Sequence, residues 1–321
     1  MSLSESALIE RYFRGCGAQR PDIIAGIGDD GALLAVTGDA ELVAATDTLV
    51  EGVHFPPGSP PASIGHRALA VNLSDFAAMG ARPAWALLAL TLPRSDESWL
   101  EEFAAGFSTL ARAHEVALVG GDTTRGPLTV TVQLLGQVAR GTALRRSGAQ
   151  AGDALFVSGT PGDAAAGLAV EQGELREPAE ALAYLRERFL WPTPRVALGE
   201  RLRHYAGACI DVSDGLLGDA GKLAAASGAG VEITFEELPV SAELKQACGE
   251  QRARELALSG GDDYELLFAV HPGRLPALLA ELPPESWGYQ RIGAVRAEPG
   301  AVVLRAGTVM EFSHSGYQHF T

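Results

Sequence analysis

The stretch "RRSGAQAGDALFVSGTPGDAAAGLAVEQG", residues 145–173, divides the chain into two modules. It begins as a polar, glycine-containing link, continues as the short apolar run "ALFVSG", and ends in a helical pattern. The residues from Thr160 to Asp163 are ordinary helix-start signals, because proline fits the first turn and an acid there faces the positive end of the helix dipole. We therefore expect a boundary near residue 150, with domains spanning 1–149 and 150–321.

The first module alternates strand and helix patterns. The small and β-branched residues of "ELVAATDTLV" (41–50) predict a strand that ends near Asp47, and "AWALLALTL" (84–92) predicts a buried strand. Apolar residues at helical spacing predict helices in "PASIGHRALAVNLSDFAAMG" (61–80) and in "DESWLEEFAAGFSTLARAHEVA" (96–117). Two more strands, "ALVGGDTT" and "LTVTVQLLGQVA", complete a βαβαββ order.

The second module continues the alternation. The stretch "ACIDVSDGLLGDAGKLAAASG" (208–228) predicts strand, turn and helix, and "VEITFEELPV" (231–240) predicts a strand. The stretch "ARELALSGGDDYELLFAV" (253–270) predicts a turn that leads into another strand. This alternation of helices and strands is typical of an α/β layer.

Composition and charge exclude several classes of partner. The 321 residues are 47% apolar and 20% charged, and the formal net charge is -15. Such a surface repels phosphate backbones, and only Lys222 and Lys245 are lysines, so we expect no nucleic acid partner. No apolar run approaches the roughly 20 residues of a spanning helix, so we expect no membrane partner either.

The ends and the cysteines indicate a compartment. The first residues, "MSLSESALIERYFRG", carry two glutamates and no unbroken apolar run, which predicts an amphipathic helix rather than a signal peptide. Cys16, Cys209 and Cys248 are odd in number and lack a CxxC spacing, which argues against a disulfide framework and a thiolate zinc site. We expect a reducing cytoplasm.

Six acidic stretches carry the candidate chemistry. Aspartate is the shortest carboxylate, and glycine, serine or threonine beside it lets the backbone turn and direct short side chains into a shared cleft. Converging like charges at about 4 Å cost about 1–4 kcal/mol per pair, so they need counter-charges. Few basic residues are adjacent, so hard oxygen ligands predict Mg²⁺, which in turn attracts a polyphosphate. The stretches are "GIGDDGALL" (26–34), "TDTLVEGVHF" (46–55), "NLSDFAAMGARP" (72–83), "GGDTTRG" (120–126), "DVSDG" (211–215) and "SGGDDYELLF" (259–268).

Taken singly, these stretches have simpler interpretations. "GDD" and "SDG" are ordinary turn sequences, Asp75 would serve as a helix N-cap, and His54 would be a surface or packed histidine. "GLLGDAGKLA" resembles a phosphate-binding loop only faintly, because its first glycine is one residue out of place and Leu223 replaces the needed hydroxyl residue. Their joint occurrence is what favours a metal-nucleotide site.

The motifs, in the same order along essentially the whole chain, resemble those of the thiamine-monophosphate kinase family. "LVEGVHF", "NLSDFAAMGARP" and the terminal "GYQHF" are similar to that branch in particular. The wider superfamily includes aminoimidazole ribonucleotide synthetase and selenophosphate synthetase. The resemblance implies a two-domain α/β (mixed α+β) fold, with N-terminal sheets pairing across a homodimer and ATP bound near the dimer interface.

The resemblance also implies an activity, namely ATP-dependent phosphorylation of thiamine monophosphate to thiamine diphosphate with several Mg²⁺ ions. A phosphate oxygen of the acceptor is already ionised near neutral pH, so direct in-line transfer needs positioning and charge rather than a strong base. Two alternatives stay open. One is a sibling ATP-dependent synthetase, and the other is a nucleotide-binding module without turnover.

Two residues at the implied site depart from the family pattern. Asp262 departs from the family pattern "SGGEDYEL" by one methylene, which shortens its reach towards a substrate. Ala45 stands where the family often has a second hydroxyl residue.

The site residues that the resemblance implies fall into three groups. The metal ligands are Asp30, Thr46, Asp47, Asp75, Asp122, Asp211 and Asp214, of which Asp47, Asp122 and Asp211 are the candidate catalytic residues. The nucleotide contacts are Gly121, Asp122, Arg146 and Ser213, and the substrate contacts are His54, Asp262 and Tyr317.

Overall fold

The computed structural model describes residues 8–27, 32–36, 38–176, 178–310 and 316. The chain forms two compact units. One comprises the residues up to Phe76 together with Ala81–Thr142, and the other comprises Ala77–Gly80 together with the residues from Ala143 onwards.

The first unit is built on a four-stranded sheet in the order β3-β6-β4-β5. Strand β6 pairs antiparallel with both neighbours, and β4 pairs parallel with β5. The predicted βαβαββ order is confirmed, preceded by a short π-helix at Ile9–Phe13 and a small β1-β2 ladder. The elements are β1 (Ile23–Ala25), β2 (Leu33–Leu34), β3 (Ala40–Val50), α1 (Pro61–Ala78), β4 (Arg82–Leu92), α2 (Glu97–Ala113), β5 (Ala117–Arg125) and β6 (Thr129–Ala139).

One face of this sheet is covered by helix α1. Val132 and Leu134 of β6 are fully buried on that face. Gly136 follows at the same two-residue period, and a Cβ there would lie 2.5 Å from the Phe76 ring of α1. Gly106 of α2 touches α1 in the same direct way, since its Cβ would lie 1.9 Å from the Ala62 carbonyl oxygen. Glycine at these points lets the layers approach closely.

Three of the six acidic stretches place an aspartate inside a regular element. The β3-β6 ladder is unbroken from Ala40 to Val50, so Asp47 lies within the strand and the predicted end at this residue is wrong. Asp75 lies near the C-terminal end of α1, so the helix-cap interpretation is also wrong, and Asp122 lies within β5. Pairing with neighbouring strands overrides the local turn preference of aspartate.

The second unit contains a seven-stranded sheet in the order β13-β12-β9-β11-β7-β10-β8. The β9-β12 pair is parallel and the remaining pairs are antiparallel. The elements are β7 (Ala154–Ser158), α3 (Asp163–Glu171), α4 (Ala179–Leu190), α5 (Val196–Leu202), β8 (Ala206–Val212), α6 (Leu216–Ser227), β9 (Gly230–Thr234), α7 (Ala242–Cys248), α8 (Glu250–Ser259), β10 (Glu265–Val270), α9 (Leu275–Glu281), α10 (Pro284–Trp287), β11 (Tyr289–Arg296), β12 (Gly300–Arg305) and β13 (Thr308–Met310).

Strands β7 and β10 are neighbouring interior strands of this sheet, and every residue of both is buried. Their continuous apolar sequences follow from burial on both faces. One face packs against α6, and the other carries an aromatic cluster in which Phe156 and Phe268 stack at 5.4 Å and both meet Tyr289 edge-on. The predicted strand-turn-helix at 208–228 is confirmed as β8 and α6.

Two further observations concern the whole described chain. Within the described ranges, no helix is both long enough and apolar enough to cross a bilayer. Cys16, Cys209 and Cys248 are free thiols.

Candidate functional site

Two candidate metal ligands of the first unit lie on the same side of its sheet. Asp47 is in register with Val132 of β6, and therefore faces the side that α1 covers. Asp75 lies on α1 itself, beside Phe76. Thr46 points to the opposite, open face, and its hydroxyl donates to the Val132 carbonyl oxygen at 3.2 Å.

A cavity of about 650 Å³ adjoins the candidate nucleotide residues on β5. Its walls combine the apolar side chains of Leu87, Leu118 and Leu135 with the run from Gly120 to Thr123. Gly121 has a φ of +151°, and a Cβ there would lie 1.8 Å from the Leu88 carbonyl oxygen, so only glycine fits. The cavity is of a size that binds small ligands.

The candidate catalytic acids Asp47 and Asp122 are far apart within one sheet. Asp47 is on β3 and Asp122 is on β5, the two edge strands, with β6 and β4 between them. Three strand spacings amount to about 14 Å along the sheet. Asp122 is also in register with Ala89, which is exposed on the open face. The sheet of one chain therefore does not bring the two carboxylates to one ion.

His54 is held in a defined orientation just after β3. Its ring Nδ1 accepts the Val50 N–H at 3.0 Å, and its backbone N–H donates to the Val50 carbonyl oxygen at 2.9 Å. Because Nδ1 acts as acceptor, the neutral ring carries its proton on Nε2. The role of His54 as a contact for a phosphorylated substrate stays a prediction.

In the second unit, the "DVSDG" residues occupy the turn between β8 and α6. Asp211 is 5% exposed near the end of β8. The N–H groups of Ser213 and Asp214 both donate to one oxygen of buried Asp219, each at 3.0 Å. Asp219 therefore fixes the turn, a role that its position in the helical pattern of α6 did not reveal.

Lys222 also enters this turn. Its ammonium lies 2.5 Å from Asp214 and 2.7 Å from Asp219. Burial raises the pKa of Asp219, although the hydrogen bond and charge of Lys222 oppose that shift. The candidate metal ligand Asp214 is thus already paired with a cation from its own chain.

The "SGGDDYELLF" loop places Asp262 beside the turn between β8 and α6. Asp262 has a φ of +71°, and its N–H donates to the Ser213 carbonyl oxygen at 2.8 Å. Tyr264 also has a positive φ, of 52°, and its hydroxyl lies 3.1 Å from Oδ1 of Asp262. Left-handed backbone at two non-glycine residues is costly and is commonly found at functional sites.

A buried ionic cluster anchors that loop, and the sequence analysis did not identify it. Glu265 is fully buried, and it accepts from Arg195 at 2.6 Å twice and from Arg188 at 2.8 Å. Burial raises the pKa of the Glu265 carboxyl, but the bonds and charges of the two arginines outweigh it, and the net pKa is lowered. The run of residues around 188–195 gave no signal for this role, because arginines on a helix pattern are usually solvated.

Asp263 and Asp163 complete the cluster on its other side. Asp263 is 1% exposed and accepts the N–H groups of Gly162 and Ala164 at 2.8 and 3.2 Å. Asp163 accepts from Ser241 at 2.6 Å and is fully buried. Burial raises the pKa of both carboxyls.

The remaining candidates are less defined. Arg146 is exposed, and its carbonyl oxygen accepts from Ser227 at 3.1 Å. Asp30 and Tyr317 lie outside the described residues, although Gly316, which precedes Tyr317, packs against Asp214. Among the residues that the structure describes, no three His, Cys, Asp or Glu side chains are grouped so that they could hold a metal ion.

Comparison with known proteins identifies the fold of both units. Residues 28–138 match the family model of the AIR synthase related protein, N-terminal domain, and residues 150–305 match that of its C-terminal domain. The hydrogenase maturation protein HypE is similar at 22% identity and a TM-score of 0.77, covering 99% of this chain and 98% of its own, and this likeness shows the fold alone.

Closer relatives share one name. The thiamine-monophosphate kinases of Salmonella typhimurium and Escherichia coli K12 are 46% and 45% identical over 100% of this chain and 99% of theirs. The crystal structure of thiamine-monophosphate kinase from Stenotrophomonas maltophilia has a TM-score of 0.85 at 48% identity, covering 94% of this chain and 97% of its own. A structure of AaThiL complexed with AMPPCP and TMP has a TM-score of 0.77 at 36% identity and covers 89% of each chain.

Proposed function

We propose that this chain, which belongs to the thiamine-monophosphate kinase family, phosphorylates thiamine monophosphate at the expense of ATP and forms thiamine diphosphate. The observation that carries the proposal is the similarity over the full length to kinases of that name, at 46% and 45% identity. The related complex with AMPPCP and TMP supports ATP as the phosphoryl donor and thiamine monophosphate as the acceptor.

The transfer is direct and in line. A terminal phosphate oxygen of thiamine monophosphate attacks the γ phosphorus of ATP, a P–O bond to that phosphorus forms, and the bond to ADP breaks. The acceptor oxygen is already ionised, so the chain has to supply orientation and positive charge rather than a strong base. His54 is the residue that we assign to orient the acceptor phosphate.

Nucleotide binding is assigned to Gly121, Asp122, Arg146 and Ser213. The cavity beside Gly121 supports this assignment, because it offers apolar walls next to a backbone that only glycine can form. Ser213 is held rigidly through Asp219, which supports a contact to a ligand of defined orientation.

Magnesium fits the donor chemistry of this chain. Carboxylate and hydroxyl oxygens are the ligands that Mg²⁺ prefers, and when bound it would neutralise phosphate charge. Asp214 fits less well than the others, because Lys222 already supplies a positive charge there. The residues proposed to hold ions are Asp30, Thr46, Asp47, Asp75, Asp122 and Asp211.

A homodimer is part of the proposal. Strands β3 and β5 are the edge strands of this sheet, with 11 and 9 residues, and residues 16–18 bond to the beginning of β5. Long strand edges are normally covered or paired. Leu42 of β3 is 55% exposed, which adds an apolar side chain to this edge. Pairing of β3 with β5 of a second copy would bring the strand of Asp47 next to the strand that carries Asp122 in that copy, instead of three strand spacings away. The cytoplasm remains the predicted compartment, on the number and spacing of the cysteines alone.

Purified protein with ATP, Mg²⁺ and thiamine monophosphate is expected to yield thiamine diphosphate, measured by separating the thiamine phosphates after reaction. Addition of EDTA in excess over Mg²⁺ is expected to abolish the product, and excess Mg²⁺ is expected to restore it. A sibling synthetase would leave thiamine monophosphate unchanged, and a nucleotide-binding module would bind ATP without product. Either result would contradict the proposed function.

A further inference from the structure

The loop that carries Asp262 contains a second residue aimed at the same carboxylate. The Tyr264 hydroxyl lies 3.1 Å from Oδ1 of Asp262, and Tyr264 is 8% exposed. In a regular helix the side chains at i and i+2 point in different directions, and in a regular strand they share a face but stand about 7 Å apart. Here the positive φ angles of both residues bring the two side chains together.

Buried side chains of the loop itself hold its strained backbone in place. Between these two residues, Asp263 binds the N–H groups of Gly162 and Ala164, which belong to the start of α3. Directly after them, Glu265 binds two arginines. Side chains that are buried and multiply bonded hold the backbone in a conformation that the loop would not adopt alone.

The loop is also tied to the β8-α6 turn by its backbone. The Asp262 N–H donates to Ser213 and the Tyr264 N–H donates to Val212, both at 2.8 Å. The backbone of Asp262 is therefore fixed, and the direction of its carboxylate is left to its side-chain partners. The hydroxyl of Tyr264 is a partner whose position is set by the same loop.

We infer that Tyr264 is a positioning residue that orients the Asp262 carboxylate towards the thiamine monophosphate. The inference rests on the proposed function and on the substrate contact that the family resemblance implies for Asp262. Asp262 is one methylene shorter than the glutamate usual in the family, so its carboxylate has fewer alternative positions, and a hydroxyl that fixes one of them controls substrate contact. Tyr264 itself does not need to touch the substrate.

The test is the substitution Tyr264→Phe, which removes only the hydroxyl. Loss of one hydrogen bond to a charged acceptor predicts a rise of about tenfold in the KM for thiamine monophosphate. The KM for ATP and the kcat are expected to change by less than about twofold, because the nucleotide residues and the phosphoryl-transfer geometry are unaltered. A general loss of structure would instead move both KM values.

The matched control is Tyr289→Phe. Tyr289 belongs to the same unit, is 5% exposed, and donates its hydroxyl to the Leu282 carbonyl oxygen at 2.5 Å. The Tyr289→Phe substitution is expected to lower the melting temperature without changing the KM for thiamine monophosphate. In the background of Asp262→Ala, adding Tyr264→Phe is expected to raise that KM no further, because Tyr264 acts through Asp262.

The possible results distinguish the positioning role of Tyr264 from the proposed function. An unchanged KM for thiamine monophosphate in Tyr264→Phe, or a further rise in the Asp262→Ala background, overturns the positioning role while the unaltered chain still forms thiamine diphosphate. If the unaltered chain forms no thiamine diphosphate, the proposed function fails, and the positioning role fails with it.

Discussion

Asp47→Asn or Asp122→Asn is expected to lower kcat by about hundredfold or more, with the fold retained. Each change removes one negative charge from a candidate metal ligand without changing its size, so the loss falls on charge stabilisation in the phosphoryl transfer. Asp122 is exposed and Asp47 is half-buried, so neither change leaves a deeply buried group unpaired. Initial rates of thiamine diphosphate formation and far-UV circular dichroism measure the two expectations.

Mixing the two variants tests where the complete site lies. If Asp47 of one chain acts with Asp122 of the same chain, every site in a mixed dimer carries one substitution and stays inactive. If the two acids come from different copies, a mixed dimer has one site with both acids intact. Random mixing of denatured and refolded subunits would then restore roughly a quarter of the original activity. Full activity in either single variant would contradict the assignment of that acid.

Glu265→Gln is expected to lower the free energy of unfolding by about 3–5 kcal/mol. Glu265 is fully buried and binds Arg195 and Arg188, and removing its charge takes this counter-ion from Arg195 and leaves Arg188 with the more distant Asp163 at 3.9 Å. Unfolding in urea, followed by circular dichroism at neutral pH, measures this difference. The control is Asp39→Asn, which removes an exposed pair with Arg140 and is expected to cost less than about 1 kcal/mol.

The difference in the free energy of unfolding between the original chain and Glu265→Gln is expected to change with pH in one direction. The pKa of Glu265 is lowered in the folded protein from its ordinary value of 4.5. Its contribution to stability is therefore present above pH 4.5 and is lost as the pH falls through the folded-state pKa. The gap between the original chain and Glu265→Gln is expected to be constant near neutrality and to shrink on acidification below pH 4.5. A gap that widened on acidification would contradict the ionic role of Glu265.

Sequence patterns were reliable where local and tertiary preferences agreed. The 154–158 strand and the helix that follows were predictable because an apolar run, a proline and an acid in the first turn all favour the observed elements. The βαβαββ order of the first unit followed from periodicity in the same way. Asp47 was placed at a strand end because aspartate favours turns, and only the pairing of β3 with β6 carried the strand past it.

The family, the candidate acids and the element order of the first unit were accessible from the sequence, because these depend on residue type and spacing along the chain. Three other features depend on the folded chain: the separation of Asp47 from Asp122, the engagement of Asp214 by Lys222, and the anchoring of the Asp262 loop by Glu265 and Asp263. Strand order and the partners of buried charges are set by contacts between residues remote in the chain. A local pattern carries no information about those contacts.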